Sequence, residues 1–326
     1  MAEVAAPSGA KIYKKKRFAL ISELCIRLVK EKPLGLVGGV IVLMLFFTGI
    51  FCAQLAPYGY NEFNLLYRLA PPSPEHVLGC DNVGRDLLSR IIYGARISMQ
   101  VSVIASLMGV TGSAIIGITS GYIGGKFDLF LQRWVDAVQA FPMLVLYLTI
   151  MAIIGEGIWQ VIFVLGISSA IGGGRIFRGA VLTLKENMFV DASRVIGSSP
   201  LRILLRHITP HILPLMIISF SLSMGRMILA EASLSFLGFG IPPPYPSWGG
   251  MLSGAGRQFM EVAPWMMIWP GLALFMVVYG VNMLGDAIRD LLDPRLRGGI
   301  GRYGGMDQEK LMKITAKKAN KTKSET

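Results

Sequence analysis

Six stretches of this chain contain no Asp, Glu, Lys or Arg: residues 34–56, 97–123, 137–155, 157–174, 208–225 and 262–285. Each is about 18 residues or longer, the length a helix rising 1.5 Å per residue needs to cross roughly 30 Å of hydrocarbon. In a soluble domain, apolar residues would be spread at helical or strand periods; here they are gathered into blocks. Charged residues make up only 16% of the 326 residues and hydrophobic ones 53%, against roughly 25% charged in an ordinary soluble domain. The pattern predicts an all-α polytopic membrane protein with about six transmembrane helices. The fifth continues past Arg226 and Glu231 to about Leu237, because its apolar character persists. The third and fourth are separated only by Glu156.

Charge placement sets the orientation. With a cytoplasmic N-terminus, the inside segments 1–33, 124–136, 175–207 and 286–326 carry 26 Lys and Arg, the outside segments carry five, and Arg226 lies within a helix. The positive-inside rule then puts both termini in the cytoplasm. The net charge of +12 therefore reads as basic flanks of membrane helices facing lipid headgroups, and no nucleic-acid partner is expected. The basic start before residue 34 is not a signal peptide, since the apolar block is too long for one and five more spans follow. The expected organisation is a basic cytoplasmic segment over 1–33, a transmembrane domain over 34–290, and a flexible basic tail over 291–326. Cys25, Cys52 and Cys80 are odd in number and form no CxxC pair, so no disulfide framework follows.

Two polar segments are rich in signal. The outer loop 57–96 becomes dense in particular side chains from His76 to Arg90, including Gly79, Asp81, Gly84, Arg85, Asp86 and Ser89. Asp81 is placed to cap a helix starting near Asn82, and Gly84 to let another backbone approach closely. His76, Cys80 and Asp81 lack the second His/Cys pair that a zinc site uses, so no metal is expected there.

The inner loop 185–207 reads as helix, tight turn, helix. Met188, Ala192, Val195 and Ile196 fall at i, i+4, i+7 and i+8, one apolar stripe on a short helix whose other face is polar. Asp191 and Ser193 lie within it, Gly197 ends it, and Ser199-Pro200 starts the next helix as N-cap and first position. Pro210 and Pro214 are expected to break or bend the entry to the fifth span. The stripe suits either a groove on a partner protein or the headgroup layer, and periodicity does not separate the two.

Arg226 and Glu231 are ionisable at membrane depth, candidates for lining a path or for helix-to-helix contact. Gly172-Gly173-Gly174, late in the fourth span, permits close helix packing. No phosphate-binding loop is present: Gly124-Gly125-Lys126-Phe127 lacks both the first glycine and the Ser/Thr after lysine. No metal pair, nucleophile elbow or dinucleotide fingerprint appears either, so the chain is not expected to be an enzyme or to bind a cofactor.

Three stretches together resemble a known family. His76 to Ser98 is similar to the pattern H-x-L-G-T-D-x-x-G-R-D-x-x-S-R-x-x-Y-G-A-R-x-S at every fixed position except Cys80, where threonine is usual. Asp191, Ala192, Ser193 and Gly197, with Ile208 and Pro210, resemble a degenerate E-A-A-x-x-x-G loop. Glu231-x-x-Leu234-Ser235-Phe236-Leu237-Gly238, the prolines that follow, Pro246-Ser247-Trp248-Gly249 and the run from Asp286 to Arg295 resemble it as well. The family is the permeases of ATP-binding-cassette (ABC) importers for dipeptides, oligopeptides and nickel, specifically the second, C-type, permease subunit. Relatives often carry a tryptophan shortly before the pair at Arg175 and Arg178, where this chain has Ile171 and three glycines.

The resemblance implies a type I importer permease fold and half of a translocation path. It also implies four kinds of partner: a second homologous permease, two cytoplasmic ABC ATPases that use the ATP, an extracytoplasmic solute-binding protein and the bilayer. Loop 185–207 would be the coupling element that docks on an ATPase. Peptide is the expected substrate, with nickel or another small solute as the alternative. A self-contained secondary transporter or channel would instead need an ion site drawn from Asp136, Glu156, Arg226 and Glu231, and an intramembrane enzyme comes third.

Overall fold

A computed structural model describes residues 26–292; most of the basic N-terminal segment, and the tail from 293 with the end of the Asp286–Arg295 run, lie outside the described residues. Eight helices organise the rest: α1 Pro33–Ile50, α2 Leu87–Ile123, α3 Gly125–Gln139, α4 Met143–Ile154, α5 Ile158–Lys185, α6 Met188–Val195, α7 Pro200–Phe236 and α8 Trp265–Leu292. Among the described residues five helices are long and apolar enough to cross a membrane: α1, α2, α5, α7 and α8. The count reaches six only if α3 and α4, bent by 86° at their junction, form one broken span.

That bend corrects the expectation of a continuous third span over 137–155. Pro142 is the extended residue before α4, at φ −57° and ψ 123°. Its ring removes a backbone donor and biases Phe141 away from helical geometry, so the apolar run is split and α4 keeps only 12 residues. The other helices overrun the apolar blocks. α2 begins at Leu87 rather than near 97, carrying Arg90 and Arg96 inside it, and α5 runs on to Lys185. Apolar blocks mark the hydrocarbon slab, whereas helices continue until a cap or a proline stops them. α1 stops at Phe51, and a short turn over Cys52–Leu55 follows.

Pro210 and Pro214 do not break α7. A π-helical turn over Ile203–Ile208 precedes them, and both the backbone N–H of Thr209 and its hydroxyl (2.8 Å) donate to the Leu204 carbonyl. A π-turn widens the helix by one residue, which lets the chain pass the missing proline donors without ending.

Small residues bring the helices together. α2 and α5 run side by side in the same direction, with Gly109 against Gly166 and Ser169, and Gly117 against Gly174 and Phe177. A Cβ on Gly117 would fall 2.3 Å from the Gly174 carbonyl oxygen. Gly173 and Gly174 rest on Ser113 and Ile116, the close packing expected of the three-glycine run. α8 runs antiparallel to both α1 and α7, with Gly38 against Gly280 and Gly225 against Asn282. At one end, the loop end, Gly157 donates to the Gly240 carbonyl and the Trp265 indole to the Cys80 carbonyl. At the other, the hairpin end, the Lys185 ammonium donates to the Tyr122 carbonyl and Lys32 pairs with Asp290 at 2.6 Å.

α3 is fastened to α5 by charge. Arg178 Nε donates to Asp128 at 2.7 Å, Arg175 bonds Asp136, and the Gln139 amide donates to the Gly172 carbonyl at 3.0 Å. Asp136, one of the four groups available for an ion site, is thus held by an arginine.

Candidate functional site

The hairpin between α5 and α7 has two faces. Val190 is fully buried among Phe177, Val181, Ile203, Ile208 and Ile212, and Phe189 stacks on His211 at 5.0 Å between ring centres. The face opposite the stripe is therefore an anchor of apolar contacts, not the polar face that periodicity suggested. Ser193 belongs to this inner face: it is 5% exposed and its hydroxyl donates to the Phe189 carbonyl. The outward face carries Met188, Ala192, Val195 and Ile196, with Met188, Val195 and Ile196 exposed by 83, 87 and 79%. Asp191 is exposed and accepts from Arg194 at 3.0 Å.

Gly197 ends α6 with φ +76°. Its N–H donates to the Arg194 carbonyl and that of Ser198 to the Ser193 carbonyl. This cap satisfies the Ser193 and Arg194 carbonyls and requires a left-handed residue where glycine stands. The Ser199 side chain then accepts from Arg202 N, with Pro200 at the first position of α7, as the sequence predicts.

At the loop end, the eight singled-out residues from His76 to Arg90 form one bonded cluster. Asp86, not Asp81, caps the helix: its Oδ2 accepts from the Ser89 backbone N–H (2.8 Å) and hydroxyl (2.7 Å), while Oδ1 lies 2.9 Å from His76 Nδ1. Asp81 instead closes a turn, accepting from Val83 N, Arg85 N and Arg85 Nε at 2.7 to 2.9 Å. The capping carboxylate is thus at 86, five residues beyond the expected Asp81, and α2 begins at Leu87. Gly84, at φ +80°, packs against the Asn64 carbonyl, which an added Cβ would meet at 1.9 Å. Gly79 holds the same kind of position against the Trp265 indole.

Arg90 reaches further, donating to the Tyr60 carbonyl at 3.0 Å and the Pro244 carbonyl at 3.4 Å. Trp248 adds an indole donation to Ile91 O at 3.1 Å. The cluster thereby ties loop 57–86 and the proline segment 242–246 to the start of α2. Burial pushes the Cys80 thiol up to about 11, with Asp86 and Asp81 adding to the shift. His76 Nδ1 faces Asp86, and Asp81 is bonded to Arg85.

Arg226 and Glu231 part company. Glu231 is 1% exposed, accepts from the Ser235 hydroxyl at 2.7 Å, and Ser235 in turn accepts from Ile241 N, fixing the turn that leaves α7. Arg226 is exposed to a cavity of about 330 Å³ lined also by Tyr147, Ser168, Ser169, Ser219 and Ser223. Sequence reasoning passed over these serines. Ser219, Ser223 and Arg226 fall at i, i+4 and i+7, a polar stripe on an apolar span, which is the signal that could have found them.

A bundle of apolar helices, a cavity lined by Arg226 and several hydroxyls, and a projecting apolar hairpin are the features of a multi-spanning membrane component. Residues 113–298 match the family described as binding-protein-dependent transport system inner membrane component, and residues 24–72 match the N-terminal TM domain of oligopeptide transport permease C. The chain belongs to this family of inner membrane transport components. It is 39% identical to the dipeptide transport system permease protein DppC of Alkalihalophilus pseudofirmus, over 82% of this chain and 88% of that protein. It is 37% identical to the glutathione transport system permease protein GsiD of Escherichia coli, over 83% and 90%. A third relative, a putative peptide transport system permease protein of Brucella suis, is 39% identical over 78% and 87%. Among solved structures, an inward-facing MetNI methionine ABC transporter chain aligns over 63% of this chain and 96% of its own, with 15% identity and a TM-score of 0.48.

Proposed function

We propose that this chain is the C-type permease subunit of a type I ABC importer for peptides, set in the inner membrane with both termini cytoplasmic. It pairs with a second, homologous permease to enclose the translocation path. Two cytoplasmic ATPases supply the energy, and an extracytoplasmic solute-binding protein delivers the cargo. The chain itself hydrolyses nothing and binds no nucleotide.

The observation that carries this reading is the two-faced hairpin. An exposed row of Met188, Val195 and Ile196 on a helix pinned from behind by Val190 is a surface built to fill a groove. Such an apolar row is costly to leave in water. Closure of the ATPase pair would push on α6, and α6 would pass the movement to α5 and α7. Peptide as cargo rests on the relatives' transport of dipeptides, glutathione and peptides. The outward side is the loop end, where the bonded cluster of His76 to Arg90 would give the binding protein a firm surface.

The test is purification from native membranes in mild detergent. Recovery of a second permease with ATPase subunits, and an oxidant-induced disulfide between a cysteine placed at 195 and one placed in the ATPase groove, is the expected result. A chain recovered only with itself and active in liposomes without ATP overturns the proposal.

A further inference from the structure

Arg226 stands ten residues from the Phe236 end of α7, roughly 15 Å along the axis at 1.5 Å per residue. Ser168 stands equally far from the Ile158 end of α5. Measured against the apolar blocks 157–174 and 208–237, Ser168 and Arg226 each lie within about 5 Å of the block's midpoint, near the middle of a slab about 30 Å thick. A guanidinium at that depth is costly and persists where it faces a partner or a water-filled cavity. Among the described residues Arg226 meets no carboxylate within ion-pair distance, in contrast to Arg175 and Arg178, which are held by Asp136 and Asp128. Glu231, five residues on, is turned to Ser235 instead.

What Arg226 faces is a cavity of about 330 Å³ whose wall carries hydroxyls from four helices: Ser113 on α2, Tyr147 on α4, Ser168 and Ser169 on α5, Ser219 and Ser223 on α7. The wall is mostly apolar, Arg226 is its one charge with no carboxylate among the lining residues, and the Ser223 hydroxyl is already given to the Phe220 carbonyl at 2.9 Å. A planar guanidinium fork matches a carboxylate, binding both oxygens at once, and hydroxyl donors around it satisfy the remaining lone pairs. α4 contributes through the half-length helix created at Pro142, so one wall of the cavity belongs to the broken element.

Resting on the peptide-permease reading, we propose that Arg226 is the membrane-depth binding residue for the carboxylate of the transported peptide, with Ser168, Ser169 and Ser219 completing the cradle. A free C-terminal carboxylate is shared by peptides of every sequence, so one such site serves cargo with differing side chains. Side-chain carboxylates present the same chemistry.

The experiment uses the complete transporter in proteoliposomes with its binding protein at saturating load. Uptake per ATP hydrolysed is measured for Ala-Ala-Ala, its C-terminal amide and Ala-Glu-Ala amide. Arg226→Gln is expected to lower this ratio about tenfold for Ala-Ala-Ala and to leave the amide unchanged, with stimulated ATP hydrolysis within twofold of wild type. Arg226→Lys should recover at least half of the loss. A tenfold loss for Ala-Glu-Ala amide as well would extend the site to side-chain carboxylates; no loss there would confine it to the terminus. Equal uptake of Ala-Ala-Ala by wild type and Arg226→Gln, or equal losses for Ala-Ala-Ala and its amide, overturns the proposal while leaving the permease reading intact. Absence of peptide uptake by the wild-type assembly overturns that reading and this one together.

Discussion

Asp86 serves two neighbours with its two oxygens: Oδ1 lies 2.9 Å from His76 Nδ1, and Oδ2 accepts from the Ser89 amide. One side chain thus starts the 37-residue helix α2 and anchors the loop before it. Asp86→Ala should cost about 0.5–2 kcal/mol from the lost cap alone, plus about 1–3 kcal/mol from the His76 nitrogen left buried without a partner. Thermal unfolding of the purified chain in detergent checks this, and His76→Ala should cost less, since the cap survives it.

Cys80 is fully buried, and burial raises its thiol from the ordinary 9.0 to about 11. A group whose folded pKa is raised contributes stability that is complete below its unfolded pKa and is lost as pH rises through the folded value. Stability should therefore fall between about pH 9 and 11, more steeply in the native chain than in Cys80→Thr. Maleimide labelling of Cys80 at pH 8 should be slow until the protein is unfolded; fast labelling of folded protein would contradict the burial.

Met188→Asp and Val195→Asp alter only the outward face of α6, where these two side chains are more than four-fifths exposed. Both should leave the chain's folding unchanged within about 0.5 kcal/mol. Each should nonetheless abolish co-purification of ATPase subunits. Val190→Asp, on the inner face, should do the reverse in order: it unfolds the hairpin first, by burying an unpaired charge.

Gly197→Val forces a β-branched side chain into φ +76°, which costs about 1–2 kcal/mol. Because nothing lies within 4 Å of an added Cβ there, the effect is on backbone conformation alone. Gly197→Asn should recover much of it. Binding-protein-stimulated ATP hydrolysis, compared between the two variants, is the measurement.

Gly117→Leu drives a side chain into the Gly174 carbonyl and Phe177. Overpacking of this kind costs about 1–3 kcal/mol or more, and the variant should melt earlier than Gly179→Leu, where the space is open.

The helical class and five of the six spans were legible because desolvating a backbone in lipid leaves only one cheap solution, and long charge-free blocks advertise it. The turn at Gly197 and the Ser199-Pro200 start were legible because caps are local chemistry. The third span was not, since its apolar run hides a proline whose effect is geometric rather than compositional. The inner face of α6 was missed for a related reason: Val190 and Ser193 acquire meaning only from Phe177 and Ile203, brought there by other helices. Asp81 is the helix cap expected from sequence, but its carboxylate is drawn to Arg85, and Asp86, held beside His76, caps α2 instead.

The hairpin is joined to α5 and α7 by only a few residues at each side, and Val190 and Phe189 bolt it to both. A push on the Met188–Ile196 surface is therefore delivered to both helices, and from α5 through Asp128 and Asp136 to α3.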